Sequence, residues 1–134
     1  YRGGLAAYEA WMTAIQERRV LMDPFSHAYN VAVVSEARSF VPGYLREVAG
    51  QFGPSQSALI QQAAVDYEDV ARGWQRLHKL FPVTSDHTQT KPATLLAGAK
   101  ELQRAYTRER RALDTLCEAF PEVAAIDDAW SWSA

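Results

Sequence analysis

One acidic residue stands where a helical repeat calls for an apolar one. In the last long helical segment, Glu109 occupies a slot that the four-three spacing of apolar residues reserves for the core. A buried carboxylate needs a phenol, an arginine or a free backbone group as its partner, and it suits proton handling or ligand orientation. The structural interpretation is a hydrogen bond to Tyr44 or Tyr67, or a side chain that turns outward beside Arg110. Glu109, Tyr44 and Tyr67 are therefore candidate ligand-binding residues.

A second candidate set lies where three helix ends are expected to meet. On a helical wheel Asn30 falls at the centre of the inward face of its helix, Arg19 falls on an inward face, and His78 falls at the edge of one. Together they would form a small pocket for an anion or a carboxylate, with Arg19 as a clamp and His78 as a titratable neighbour. Alternatively, all three cap helix ends and reach solvent.

Motifs for a metal site, a nucleophile or a phosphate-binding loop are absent from the sequence. The sequence has no Glu-x-x-His pair of the di-iron bundles, and its three histidines have no mutual metal-ligand spacing. Cys117 falls on an apolar helix side, where a thiol is usually inert, and no glycine-rich phosphate loop occurs. We therefore predict no metal, no cofactor and no catalytic residue in this segment.

A run of arginines in the last helix allows two interpretations. Arg104, Arg108, Arg110 and Arg111 could form a docking patch. Acidic residues are interleaved with them, however, so a solvated, salt-bridged face is favoured.

The totals are those of a globular protein. The chain has 134 residues, of which 48% are hydrophobic and 22% charged, with a net charge of −2. A near-neutral charge argues against a generic nucleic-acid binder, and no run approaches the roughly 20 apolar residues that span a bilayer. The N-terminus has no signal-peptide pattern, and one cysteine suits a reducing compartment, so a cytoplasmic location is expected. Because the first residue is Tyr1, we expect a piece of a longer or processed chain.

Four amphipathic segments must position these residues. They run from about Gly4 to Leu21, Pro24 to Ala49, Pro54 to Phe81 and Pro92 to Phe120. Loops this short make neighbouring helices antiparallel. We predict an all-α, up-down-up-down four-helix bundle over residues 1–120, with a tail at 121–134 that packs on it. Pro42 should kink the second helix or break it near residues 40–43.

Two faces are predicted to form most of the core. The third helix carries one continuous stripe: Ile60, Ala63, Tyr67, Val70, Trp74, Leu77 and Phe81. The inward face of the second helix is predicted to comprise Asn30, Val33, Val34, Ala37, Phe40, Val41, Tyr44 and Val48.

The opening YRGGLAAYEAW and the run AAVDYEDVARGWQRLHKLFP resemble a known bacterial segment. It is the helical segment that follows the papain-like domain in butirosin-biosynthesis protein H-like proteins and their cysteine-peptidase-like relatives. Residues 41–47 would correspond to its Phe-Leu-Arg-Glu-like stretch, although Pro42 interrupts the run. The resemblance covers residues 1 to about 120 and carries no catalytic motif. It implies that the catalytic Cys and His lie in a preceding domain.

Three functions remain open. The first is a non-catalytic accessory module of a papain-like acyltransferase or peptidase-like protein, which should leave an exposed apolar patch, with Trp130 and Trp132 as candidates. The second is a small-molecule-binding bundle lined by Tyr8, Trp11, Tyr44, Tyr67, Trp74 and Tyr106, with Glu109. The third is an enzyme that uses Glu109 or His78 as acid or base. Self-association is compatible with all three, and none requires nucleic acid or a membrane.

Overall fold

A computed structural model describes residues 4–17, 24–83 and 91–122 of the chain. Within these ranges the backbone forms four helices and no strand: α1 (Leu5–Gln16), α2 (Pro24–Ala49), α3 (Pro54–Leu80) and α4 (Pro92–Ala119). The predicted all-α class is confirmed. The last three helices match their predicted bounds to within one residue. The first helix ends earlier than predicted, at Gln16, with Glu17 in a turn.

Proline sets the start of α3 and of α4. Pro54 and Pro92 each occupy the first turn, where the missing N–H costs no helical hydrogen bond. The preceding residues, Gly53 and Lys91, have extended backbone and no side-chain cap. Lys91 is thus the cap position of α4.

A third proline, Pro42, lies inside α2 without interrupting it. The helix is continuous from residue 24 to residue 49, so the alternative of two helices with a break near residues 40–43 is wrong. Buried residues on both sides of the proline, Val31 before it and Leu45 and Ala49 after it, hold both halves in the core. The kink stays a prediction.

Helix α3 is the centre of the bundle. It packs against α2 on one side and α4 on the other, and α4 also packs against α1. The seven stripe residues predicted for α3, Ile60, Ala63, Tyr67, Val70, Trp74, Leu77 and Phe81, are all buried. Their four-three spacing is the signal of a helix with one wide apolar face, and that prediction is confirmed.

Contacts between α3 and α4 run in opposite directions along the chain. Gln56, near the start of α3, donates a hydrogen bond to the carbonyl of Ala119 at 3.1 Å, near the end of α4. Phe81 follows the end of α3, and a Cβ added at Gly98, in the second turn of α4, would lie 2.6 Å from its ring. These two helices are antiparallel neighbours, as the predicted bundle requires of them.

The inward face predicted for α2 is largely wrong. The structure buries His27, Ala28, Val31, Ser35, Pro42, Leu45 and Ala49, and it exposes Asn30, Val33, Ala37, Phe40 and Tyr44. Val34, Val41 and Val48 are half-buried. The buried face of α2 thus combines small, polar and apolar residues, whereas Val33, Phe40 and Tyr44 point outward.

Candidate functional site

Glu109 is buried at the centre of the bundle, with only 5% of its surface exposed. The four-three pattern predicted this position, and the structure confirms it. Two tyrosines donate hydrogen bonds to the carboxylate, Tyr8 to Oε2 at 2.5 Å and Tyr67 to Oε1 at 3.3 Å. Both carboxylate oxygens are therefore engaged inside the protein.

The chain of polar contacts extends beyond the carboxylate. The indole of Trp74 donates to the hydroxyl of Tyr8 at 2.8 Å, so this hydroxyl both accepts and donates. The rings of Tyr8 and Trp74 also pack together, with centroids 5.7 Å apart. This arrangement satisfies the polar atoms of two large aromatic side chains within the core.

Arg38 of α2 supplies the positive charge. Its Nε lies 2.9 Å from Oε1 of Glu109, although the N–H is not aligned for a hydrogen bond. The arginine side chain is 29% exposed, so it reaches the carboxylate from the edge of the core. A carboxylate with an ion-pair partner and two phenol donors bears its burial at much lower cost than an isolated one.

Burial changes the proton affinity of this cluster. It raises the pKa of Tyr8 and of Tyr67, and the nearby negative charge of Glu109 raises both further. Burial lowers the pKa of Arg38, but the charge of Glu109, its contact with the guanidinium and the two neighbouring tyrosines together outweigh this effect, so the net pKa is raised. The phenols therefore stay neutral and the guanidinium stays charged well into the alkaline range.

The Glu109 cluster comprises Tyr8, Arg38, Tyr67, Trp74 and Glu109, with at least one residue from each of the four helices. Because its polar groups contact one another, the cluster fixes which faces of the helices pack together. It acts as an internal hydrogen-bonded network that links the helices.

A second polar contact joins α1 and α2. The indole of Trp11 donates to Nε2 of buried His27 at 3.0 Å, and the His27 ring packs edge-on against Phe81, with centroids 4.5 Å apart. An indole only donates, so Nε2 must be unprotonated. Burial lowers the pKa of His27, which favours the neutral ring that this contact needs.

The other predicted site residues are not buried together. Asn30 and His78 are exposed, which contradicts the inward position predicted for Asn30. Arg19 lies outside the described residues. Tyr44 is 66% exposed on the outer side of α2 and cannot reach the buried Glu109 from there. Of the two predicted hydrogen-bond partners of Glu109, Tyr67 is confirmed and Tyr44 is wrong.

The aromatic residues predicted to line a ligand pocket pack mainly against each other. Ring centroids lie 5.9 Å apart for Tyr8 and Tyr106, and 5.7 Å apart for Trp11 and Trp74. This is the spacing of aromatic pairs in a filled core.

Helix α2 presents an outer stripe to solvent. Four large apolar residues, Tyr29, Val33, Phe40 and Tyr44, are spaced by four, seven and four positions and so share one side of the helix. Phe40 is 68% exposed, and the other three are exposed by about half or more. Trp130 and Trp132, the predicted candidates for such a patch, lie outside the described residues.

Within residues 4–17, 24–83 and 91–122, no group of three His, Cys, Asp or Glu side chains could hold a metal ion. Cys117 is a free, half-buried thiol. In the same part of the chain, no helix has both the length and the apolar character needed to cross a bilayer.

Sequence reasoning missed Tyr8 and Arg38 as partners of Glu109. From the sequence, Tyr8 is predicted only among the residues that would line a ligand pocket, because its pairing with Glu109 depends on which helix lies beside α4. Arg38 lies on the inward face that the structure gives α2, three positions after buried Ser35 and seven after buried Val31. A charged residue in register with Val31 and Leu45 was the available signal.

Comparison with known proteins adds no family to this geometry. No family model matches the chain, and no curated protein or solved structure matches it.

Proposed function

We propose that this chain is a non-catalytic helical module that docks on a papain-like acyltransferase or peptidase-like domain through the outer stripe of α2. The observation that carries the proposal is the exposure of Tyr29, Val33, Phe40 and Tyr44 on one side of a long helix. Contiguous exposed apolar residues are typical of protein interaction sites. Aromatic residues are also the usual anchors of such interfaces.

The internal use of the polar cluster supports a structural module. Glu109 was the strongest candidate for acid–base chemistry, and its two oxygens contact Tyr8, Tyr67 and Arg38 within the core. A general acid or base must instead reach a proton on a substrate. The cluster is better suited to holding α2 at a fixed orientation, with its outer stripe directed away from the bundle.

The choice of partner rests on the resemblance of two sequence runs to the segment that follows papain-like domains. Negative charges beside the outer stripe indicate which charges the partner surface should carry. Glu36 and Glu47 are exposed on α2 and fall on one flank of the stripe. A complementary surface would have an apolar centre and at least one Lys or Arg at its margin.

The test begins with the native gene. The papain-like domain that we expect it to encode should be produced separately and titrated with this chain by calorimetry. The variant Phe40→Ser/Tyr44→Ser removes two aromatic anchors and should weaken binding by at least about 30-fold, because an interface anchor contributes about 2 kcal/mol or more. Its stability should change by less than about 1 kcal/mol, because both positions are exposed.

Val65→Ser is the matched control, since Val65 is an apolar residue of α3 with 53% exposure. It should leave the affinity unchanged. Binding that is insensitive to the double variant would refute docking through α2. A native product that encodes no papain-like domain would refute the choice of partner, and dimerisation of the chain through the stripe would replace it with self-association.

A further inference from the structure

A groove of about 140 Å³ runs between α3 and α4. Its floor is formed by Gly73 and Ala105, where a Cβ added to the glycine would lie 3.7 Å from the Cβ of Ala105. Two small residues facing each other leave a concavity between the helices. Four arginines surround it, two from each helix: Arg72, Arg76, Arg104 and Arg108.

Two carboxylates are shared among these four arginines. On α3, Asp69 pairs with Arg72 and lies 4.0 Å from Nε of Arg108. On α4, Glu101 lies 3.1 Å from Nε of Arg76 and 3.7 Å from Nη1 of Arg104. Four positive charges face two negative ones, so this arginine groove carries a formal charge of +2 on a chain whose net charge is −2.

Neither the protonation state of Asp69 nor the next acidic residue along the helices changes the formal charge of +2 on the arginine groove. The hydrogen bond from Arg72, supported by the charges of nearby arginines, holds the pKa of Asp69 below its ordinary value, so this carboxylate is already ionised and counted. One turn further along, Arg111 lies 3.4 Å from Asp66. That pair is balanced within itself and removes no charge from the groove.

The two α4 arginines hold their carboxylates most loosely. Their contacts, at 3.7 Å and 4.0 Å, are longer than a direct hydrogen bond, and the side chains of Arg104 and Arg108 are 68% and 43% exposed. Each guanidinium carries five N–H donors in a planar fork, which matches the oxygens of a phosphate group. Within the described residues, neither guanidinium has a carboxylate oxygen closer than 3.7 Å, which leaves N–H donors of both for a ligand.

We propose that the arginine groove binds a tetrahedral oxyanion, the phosphate group of a small ligand, held by Arg104 and Arg108 from α4 and by Arg72 and Arg76 from α3. The site is separate from the outer stripe, which lies on α2. The sequence indicated an arginine-rich patch on the last helix alone. The contribution of α3 depends on the antiparallel register of the two helices.

Inorganic phosphate is the probe for this site. Titration into the ¹⁵N-labelled chain at constant ionic strength should give saturable shifts of the arginine Nε–H signals. Arg104→Gln/Arg108→Gln should weaken binding by about tenfold or more. Arg110→Gln is the matched control, since Arg110 is an exposed arginine of the same helix that lies near Tyr106 rather than in the groove. It should leave the affinity unchanged.

A second variant separates a shaped site from diffuse charge. Arg104→Lys/Arg108→Lys keeps both charges but loses the forked donors, so it should also weaken binding by a factor of several. Equal affinity of the lysine variant and the unmodified chain would overturn the proposal, as would non-saturable shifts or an equal loss in Arg110→Gln. Both substituted positions are substantially exposed, and far-ultraviolet circular dichroism would verify the fold of each variant.

Discussion

Raising the pH should destabilise this protein through two buried phenols. Burial, and then the neighbouring charge of Glu109, raises the pKa of Tyr8 and of Tyr67 above the ordinary value of 10.0. The folded protein therefore retains two protons that the unfolded chain loses above that value. The stabilisation contributed by the neutral phenols is fully present below pH 10 and is lost as the pH rises.

The size of the effect follows from proton counting. A proton held by the folded state and released by the unfolded state lowers the free energy of unfolding by up to about 1.4 kcal/mol per pH unit. Two such protons give a slope approaching about 2.7 kcal/mol per pH unit once the unfolded phenols are ionised. Since small domains have about 5–15 kcal/mol of stability, the loss should become large within about two pH units.

Urea unfolding followed by circular dichroism between about pH 8 and pH 11 would measure this slope. Tyr8→Phe and Tyr67→Phe should each reduce it by about half, and the double variant should nearly abolish the tyrosine contribution. Tyr44→Phe is the control, because Tyr44 lies exposed on α2. The same alkaline slope in the unmodified chain and the double variant would refute the coupling of these phenols to folding.

Two further predictions concern the same core. Burial lowers the pKa of His27. The neutral ring therefore stabilises the folded state above the ordinary value of about 6.5. This stabilisation is lost as the pH falls below that value, at up to about 1.4 kcal/mol per pH unit. His27→Gln, which keeps an acceptor for Trp11, should remove that slope in urea titrations between about pH 7 and pH 5; an unchanged slope would assign it to other groups. A Cβ at Gly98 would lie 2.6 Å from two ring carbons of Phe81, whereas one at Gly73 meets nothing closer than 3.7 Å. Thermal unfolding should therefore show Gly98→Ala destabilised by about 1 to 2 kcal/mol and Gly73→Ala stabilised by about 0.5 to 1 kcal/mol, and the reverse order would contradict the packing described.

The sequence predicted the structure correctly where a pattern of residues allowed a single interpretation. The stripe on α3 alternates by three and four positions over three heptads, and every residue of it is buried. Glu109 was found by the same logic, as a polar residue in an apolar register. Pro54 and Pro92 marked two helix starts because proline is tolerated there and nowhere else in a regular helix without cost.

The prediction of the inward face of α2 was wrong because this helix carries two stripes of residues that could face the core. The large apolar residues Val33, Phe40 and Tyr44 form the more obvious one, and the other contains a charged residue, Arg38. A helical wheel gives the angle between the stripes but not which of them meets α3. That choice depends on contacts between distant parts of the chain, such as the ion pair of Arg38 with Glu109, which lies 71 positions further along.

The most direct test of the docking proposal is the accessibility of the outer stripe in the native gene product. Hydroxyl-radical footprinting with mass spectrometry should compare the oxidation of Phe40 and Tyr44 in that product and in this chain alone. Phe52, which is 38% exposed and packs edge-on against Phe120, serves as the internal reference. We expect the native product to contain a papain-like domain and to protect both stripe residues relative to Phe52. Equal oxidation of Phe40 and Tyr44 in the two samples would contradict docking through α2.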